Sequence, residues 1–200
     1  SSIKKWVRIK MKLNTVVRPT LFSLLVLLSA CSSNVKHLVI APEVFTSANT
    51  SLTAKSVNIS TNDLRPGQHL LQILKKDQAA EIINSQAALA QIVANTLTSA
   101  YKSSGAQVSP AGKNVLNITI NNALINVNQT LLNYTASNMI VLSISIDNGE
   151  KTLTKRYRSS GKNEGPLKAD IAVLERDFNQ QLSKLIYNIV NDPQLIEFMR

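Results

Sequence analysis

Apolar residues recur along this chain as a compact run, then at every second position, then at every third and fourth, and each period predicts a different element. Residues 38–40, Leu-Val-Ile, predict a first strand that stops at Ala41-Pro42, because proline cannot donate to a ladder. Residues 46–53 are rich in Ser, Thr and Asn and predict a loop. Residues 56–60 alternate apolar with polar, as a half-buried strand does, and residues 70–74 predict another strand after the turn chemistry of Arg65-Pro66-Gly67-Gln68. From Asn84 the spacing lengthens. Leu89, Ile92, Val93, Leu97, Ala100 and Tyr101 fall on one helical stripe, with Asn84 or Ser85 to cap its start and Gly105 to take the left-handed position after its end. Tyr101 reads as core.

The centre of the chain returns to period two. Val115, Leu116, Ile118 and Ile120, then Leu124, Ile125 and Val127, stand against Asn, Thr and Gln; Ile140, Leu142, Ile144 and Ile146 share one face of residues 138–147. Asn148-Gly149, between that strand and a further one over residues 151–157, predicts a type I′ hairpin, since both turn residues tolerate positive φ. Helical spacing reappears at Ile171, Leu174, Phe178, Leu182, Leu185, Ile186 and Ile189, a helix over 170–190 with acidic Asp170 near its positive amino end. Asp192-Pro193 opens a last short helix that buries Leu195, Ile196 and Phe198. These elements predict an α+β fold: two layers, a mixed and mainly antiparallel sheet packed with two long amphipathic helices and a short C-terminal helix.

One apolar run belongs to none of these elements. Residues 21–28 fall far short of the roughly 20 needed to cross a bilayer. Lys12 and Arg18 precede the run and Ser29 and Ala30 follow it, the order of a secretory signal. Leu28-Ser29-Ala30-Cys31 resembles the bacterial lipobox. That resemblance implies that Cys31, the single cysteine, takes a diacylglyceryl group on its sulfur, that the bond before it is cut, and that the new amino terminus is acylated. The expected organisation is an extension over 1–10 ahead of Met11, from a start assigned too early or a cloning remnant, then a lipoprotein signal peptide over 11–30, a lipidated tether over 31–37 and a single periplasmic domain over 38–200. Ser32 stands where an Asp would resemble the inner-membrane retention signal, so the expected home is the periplasmic face of the outer membrane.

Charge changes the picture once the cut is considered. The chain carries 22 Lys and Arg against 12 Asp and Glu, a net +10, but six cations (Lys4, Lys5, Arg8, Lys10, Lys12 and Arg18) precede Cys31, which leaves 16 against 12, or +4. A mildly basic domain does not point to nucleic acid. A lipidated Cys31 leaves no thiol for a disulfide, so stability must come from an apolar core, which the 169 residues after it are enough to build.

Candidate chemistry is thin. His37 and His69 belong to no metal-spaced pair, and there is no G-x-S-x-G, Walker loop or G-x-G-x-x-G. Glu175 and Asp177, two apart on a helix, point different ways, and Glu81, Asp147 and Glu150 flank turns. No catalytic residue, metal site or cofactor is implied, and an enzyme is not expected. Asn-x-Ser/Thr triplets at Asn49, Asn58, Asn117, Asn128 and Asn133 read as strand and loop chemistry rather than glycosylation sites. The cationic stretch Lys151, Lys155, Arg156 and Arg158 has two readings: a surface for anionic headgroups, lipopolysaccharide or a polymer's carboxylates, or charges that guard an edge strand against pairing.

The lipobox, residues 155–165 with Tyr157, Arg158, Ser160, Glu164 and Gly165, and the C-terminal Asp192, Glu197 and Phe198 together resemble the YajG family of bacterial lipoproteins. The resemblance implies a location and a fold and transfers no active site. Tyr157, Arg158 and Glu164 are then fold determinants or part of a partner-binding surface with Lys151, Lys155 and Arg156; Gly165 reads as a backbone requirement before the helix. The function expected is a membrane-anchored, non-catalytic interaction module whose partner is an envelope protein or peptidoglycan. The alternatives are a carrier of lipid or a small apolar ligand and, further off, a hydrolase built around His69.

Overall fold

Among residues 36–200, which the computed structural model describes, the elements run β1 (Ser56–Asp63), β2 (Leu71–Lys75), β3 (Glu81–Ile83), α1 (Leu89–Ser103), β4 (Gln107–Val108), β5 (Asn114–Gln129), β6 (Asn133–Asp147), β7 (Thr152–Pro166), α2 (Ile171–Val190) and α3 (Pro193–Phe198). The expected extension, signal peptide and lipobox, with Cys31, lie outside the described residues. The fold is α+β, with helices against a curled, mixed sheet.

Strand β5 is the spine. One edge pairs antiparallel with β6 over nearly its whole length, and β6 pairs antiparallel with β7. Its other edge is shared end to end: residues 114–120 pair parallel with β1, and residues 125–129 pair parallel with β2. Short β4 extends the sheet beyond β1, and β3 extends it beyond β2. At the changeover the register against β6 shifts between Ile120 and Asn122, a β-bulge. The bulge flips parity, so the buried side chains are Leu116, Ile118 and Ile120 before it and Ala123, Ile125 and Val127 after it.

The gap between β1 and β2 is filled by a charge. Arg65 is only 8% exposed, and its guanidinium forks onto Asp63 (Nε–Oδ1 2.9 Å, Nη2–Oδ2 2.7 Å) while Nη1 donates to the carbonyls of His69 and Ala123, both at 3.0 Å. The Ala123 carbonyl sits where β5 has lost β1 and not yet gained β2, so Arg65 supplies the donor that a strand would have supplied. Partial burial pushes the Asp63 carboxyl up, but the hydrogen bonds and charge of Arg65 outweigh it and hold the group below its ordinary value.

Gly112 shows how tightly the loop before β5 lies on β1. A Cβ there would overlap the main chain at Val57 and Asn58, which cannot move without breaking the ladder. Gly112→Ala is expected to lower the unfolding free energy by about 1–3 kcal/mol, the usual range for overpacking, read as a shift of the urea midpoint.

The helices cover one face of the sheet. The stripe Leu89, Val93, Leu97, Ala100 and Tyr101 of α1 is buried, as is Leu174, Phe178, Leu182, Leu185, Ile186, Ile189 and Val190 of α2. Asp170 caps α2 by accepting from the Ala172 amide at 2.9 Å, and Asp192 caps α3 from Gln194 at 2.9 Å. The expected pair of long helices is not found. Helix α2 is long at 20 residues, but α1 spans 15 and α3 only 6. Helix α1 starts at Leu89 after Ala88, without a side-chain cap from Asn84 or Ser85, because those residues serve another purpose. The Asn84 carbonyl accepts from Leu38, and Gln86 donates to the Leu38 carbonyl, which holds residues 84–86 extended. Gly105 follows the helix at φ +101°, as its position predicts.

Two further expectations change. Residues 38–40 form no strand of the sheet beyond the single Leu38–Ser85 bridge; after Leu38 the amides bond side chains instead, Val39 to Glu175 at 2.6 Å and Ile40 to Gln86 at 2.8 Å. The β6–β7 hairpin exists, but not as a type I′ turn. Of its residues only Gly149 has positive φ, while Asn148 turns its side-chain oxygen onto the amides of Glu150 and Lys151.

Candidate functional site

Strand β7 carries every residue of the sequence-predicted partner surface except Lys151, which is exposed in the hairpin just before it. Its only strand partner among the described residues is β6, so its second edge is open. Burial alternates without a break from Thr152 to Pro166, and this sorts the predicted residues onto opposite faces. Lys155 and Tyr157 turn inward toward the helices. Arg156, Arg158 and Glu164 turn outward to solvent. The six residues are therefore not one site.

The inward face builds a polar cluster. Asp192 Oδ2 accepts from Lys155 Nζ at 2.5 Å and from Tyr157 Oη at 2.5 Å, and Lys155 Nζ also reaches Gln194 at 2.8 Å. The Lys155 ammonium lies 5.7 Å from the Tyr157 ring centroid. Partial burial pushes the Asp192 carboxyl up, but the bonds from Lys155, Tyr157 and the Gln194 amide and the Lys155 charge outweigh it, so the net shift is downward. Burial and then the Asp192 carboxylate push the Tyr157 phenol well above its ordinary value. The arrangement fastens α3 to β7. It gives no base near neutrality, since the carboxylate is neutralised and the phenol is held protonated.

Farther along the same face, α2 meets β7 through polar side chains. Gln181 Nε2 donates to Asn138 Oδ1 at 2.9 Å across Gly161, where a Cβ would collide with that amide. Asn163 donates to Asp177 at 3.2 Å and accepts from Tyr134 Oη at 3.1 Å. A cavity of about 290 Å³ opens here, walled by Asn138, Asn163, Asp177 and Gln181 among others. Gly165, read from sequence as a backbone requirement, is instead required for space: its φ is not positive, and a Cβ would press on the Tyr134 ring at 3.0–3.3 Å.

The outward face is an open polar sheet. Cross-strand register places Asn62, Thr119, Ser143 and Arg156 in one row and Gln72, Asn126, Ser137 and Lys162 in another. Arg158 stands over half-buried Val141. Toward the far end the sheet hollows into a depression of about 530 Å³ lined by Asn128, Thr135, Ser137, Lys162 and Glu164. Lys162 is the residue that sequence reasoning missed: carrying the alternation of 156 and 158 onward would have placed it on the same face.

Among the described residues no three His, Cys, Asp or Glu side chains stand close enough to hold a metal ion. His37 is exposed, and His69 lies in the loop before β2, where its carbonyl serves Arg65.

A family model described as uncharacterized lipoprotein, Lipoprotein_16, matches residues 42–200. The chain belongs to this family, the YajG lipoproteins. No curated protein matches it. Among solved structures, protein XCC0632 from Xanthomonas campestris, of family model DUF330, shares 12% identity with a TM-score of 0.55, covering 80% of this chain and 96% of its own. A second uncharacterized protein shares 13% identity over 76% of this chain and 99% of its own, with a TM-score of 0.40. At such identity the likeness to XCC0632 concerns the fold alone. Among the described residues of this lipoprotein, no helix is long and apolar enough to cross a membrane.

Proposed function

We propose that this lipoprotein is held through lipid on Cys31 at the periplasmic face of the outer membrane, and that its folded domain is a non-catalytic interaction module of the cell envelope. The observation that carries the reading is β7: a strand of 15 residues with one edge open and Arg156, Arg158 and Lys162 spaced along its outward face. An open edge offers main-chain donors and acceptors to an added strand, and the cations beside it favour an acidic partner. The same charges keep the edge from pairing indiscriminately, so the two sequence readings of this stretch are compatible. The expected partner is an acidic segment of an envelope protein, with peptidoglycan carboxylates second. The carrier alternative draws less support, because the cavity beneath α2 is small, about 290 Å³, and sets Asn163, Asp177, Gln181 and Lys184 among the apolar Ile125, Ala136 and Leu174.

Photo-crosslinking in cells from Thr154 and Ser160, both outward on β7, tests this. A discrete adduct is expected from each position, weakened when Arg156 and Arg158 are both replaced by Glu. Absence of any adduct at wild-type protein levels would overturn the reading. The anchor has its own test: labelled palmitate is expected to enter the wild-type chain and not Cys31→Ala.

A further inference from the structure

The end of the domain opposite the β6–β7 hairpin exposes three leucines. Leu131 and Leu132, in the turn between β5 and β6, are 95% and 78% exposed, and Leu167, just past β7, is 67% exposed. They form one patch, because the Leu167 amide donates to the Leu132 carbonyl at 2.7 Å and Gln129 Nε2 donates to the Leu167 carbonyl at 2.7 Å. Leu167 holds φ +61°, a left-handed conformation that leucine rarely adopts. The local hydrogen bonds to its amide and carbonyl hold the main chain in that conformation, with the side chain exposed. Lys75, Lys76 and Lys168 line the hollow beside Leu131 and Leu167. Lys75 shares its charge with Glu81 at 3.5 Å, and Asp170 is engaged as the cap of α2. Among the described residues Lys76 and Lys168 make no ion pair. Asp77 is the remaining acid beside Lys76.

The chain leaves the domain at this same end. Val39 donates to Glu175 and Ala41 donates to Asn179, so residues 39–41 run alongside α2 toward its carboxyl end. Followed backward, the extended chain brings Lys36 level with the start of α2, and Leu167 lies only four residues before Ile171. Lys36 stands five positions after Cys31, an extended reach of at most about 18 Å. Lipid on Cys31 therefore holds the leucine end, and not the hairpin end, close to a bilayer.

We infer that Leu131, Leu132 and Leu167 dock into the surface of the membrane that carries the anchor, with Lys76 and Lys168 meeting anionic phospholipid headgroups. The inference rests on the lipidated Cys31 proposed above. Apolar side chains rimmed by lysines suit the boundary between headgroup and acyl chain, whereas a protein groove would have to leave those ammonium groups paired or dry. Docking stands β5, β6 and β7 away from the bilayer and presents the open edge of β7 to the periplasm.

The test uses the full lipidated chain in vesicles of phosphatidylethanolamine and phosphatidylglycerol. A thioether at Cys31 leaves an introduced cysteine as the single reactive thiol, so spin labels go on Leu131→Cys, Leu167→Cys and, as the distal control, Glu150→Cys. Oxygen and nickel collision rates should place the first two labels about 5–10 Å into the interface and the third in water. Vesicles that float with the protein while all three labels read as aqueous overturn the docking and leave the anchor standing. A chain that fails to float with vesicles overturns both. Dipolar broadening between labels at 131 on separate chains would show a second copy on the patch and likewise overturn the membrane assignment.

Discussion

Replacing Arg65 by Ala should lower the unfolding free energy by about 3–5 kcal/mol, the range for removing one partner of a buried ion pair, with the urea midpoint falling and the slope unchanged. The side chains of Arg65 and Asp63 are 4% and 10% exposed, so the carboxylate left behind would be nearly dry. The carbonyls of Ala123 and His69 would lose their donors in the same step. Arg65→Lys should recover only part of the loss, because an ammonium cannot fork onto both carboxylate oxygens while reaching two carbonyls. Pairing Arg65→Met with Asp63→Asn should cost less than Arg65→Met alone. A double variant as damaged as the single would mean that the carbonyl contacts, and not the ion pair, hold the junction.

Asp192→Ala should cost about 2–4 kcal/mol, since it removes both the cap of α3 and the acceptor of two side-chain donors. Lys155 is 26% exposed and can regain water, which keeps the loss below that at Arg65. Asp192→Asn should keep most of the cap and lose the charge. Acid should separate the two aspartates from the rest of the protein. Both carboxyls sit below their ordinary value near 3.8 in the folded state, so the unfolded chain takes up their protons first. Their contribution is whole above that value and is lost as pH falls through the lower folded values. Wild-type stability should therefore drop below about pH 4, and Asp192→Asn should flatten that drop. On the alkaline side burial raises Tyr101 and Tyr157, so their contribution is whole below pH 10 and declines as pH rises toward the folded values. A guanidinium melt at pH 3, 5, 7 and 11 reads all of this.

How much of this was visible in the residues varies with how much each element depends on apolar contacts. Helix α2 and the buried halves of β5 and β6 were legible because Phe178, Leu182, Ile118 and Ile144 repeat at the period of their element. The bulge has a sequence mark as well, the change from even to odd apolar positions around Asn121. Strand β7 was read only as far as Tyr157. Beyond it, residues 159–165 are polar or Gly, so no apolar alternation marks a strand there; the strand continues because β6 pairs with it and Gln181 and Asp177 cover its inner face with amides and a carboxylate. The Leu38 segment failed in the opposite way, apolar enough for a strand but satisfied by side chains of Glu175 and Asn179. Arg65 lay inside a stretch whose Pro-Gly pair read as an ordinary turn, and nothing local to it shows that a carbonyl 58 positions away needs a donor.

The shared edge of β5 also sets an order of events as the chain is made. The hairpins β5–β6 and β6–β7 join neighbours in sequence and can close as soon as they exist. Strands β1 and β2 are synthesised earlier yet have no antiparallel neighbour to await them except short β3; their long-range partner arrives only when residues 114–129 emerge. Until then Val57, Ile59, Leu71 and Ile73 have no sheet to cover them, so the opening third of the domain is the part most exposed to aggregation and most in need of a holdase during biogenesis.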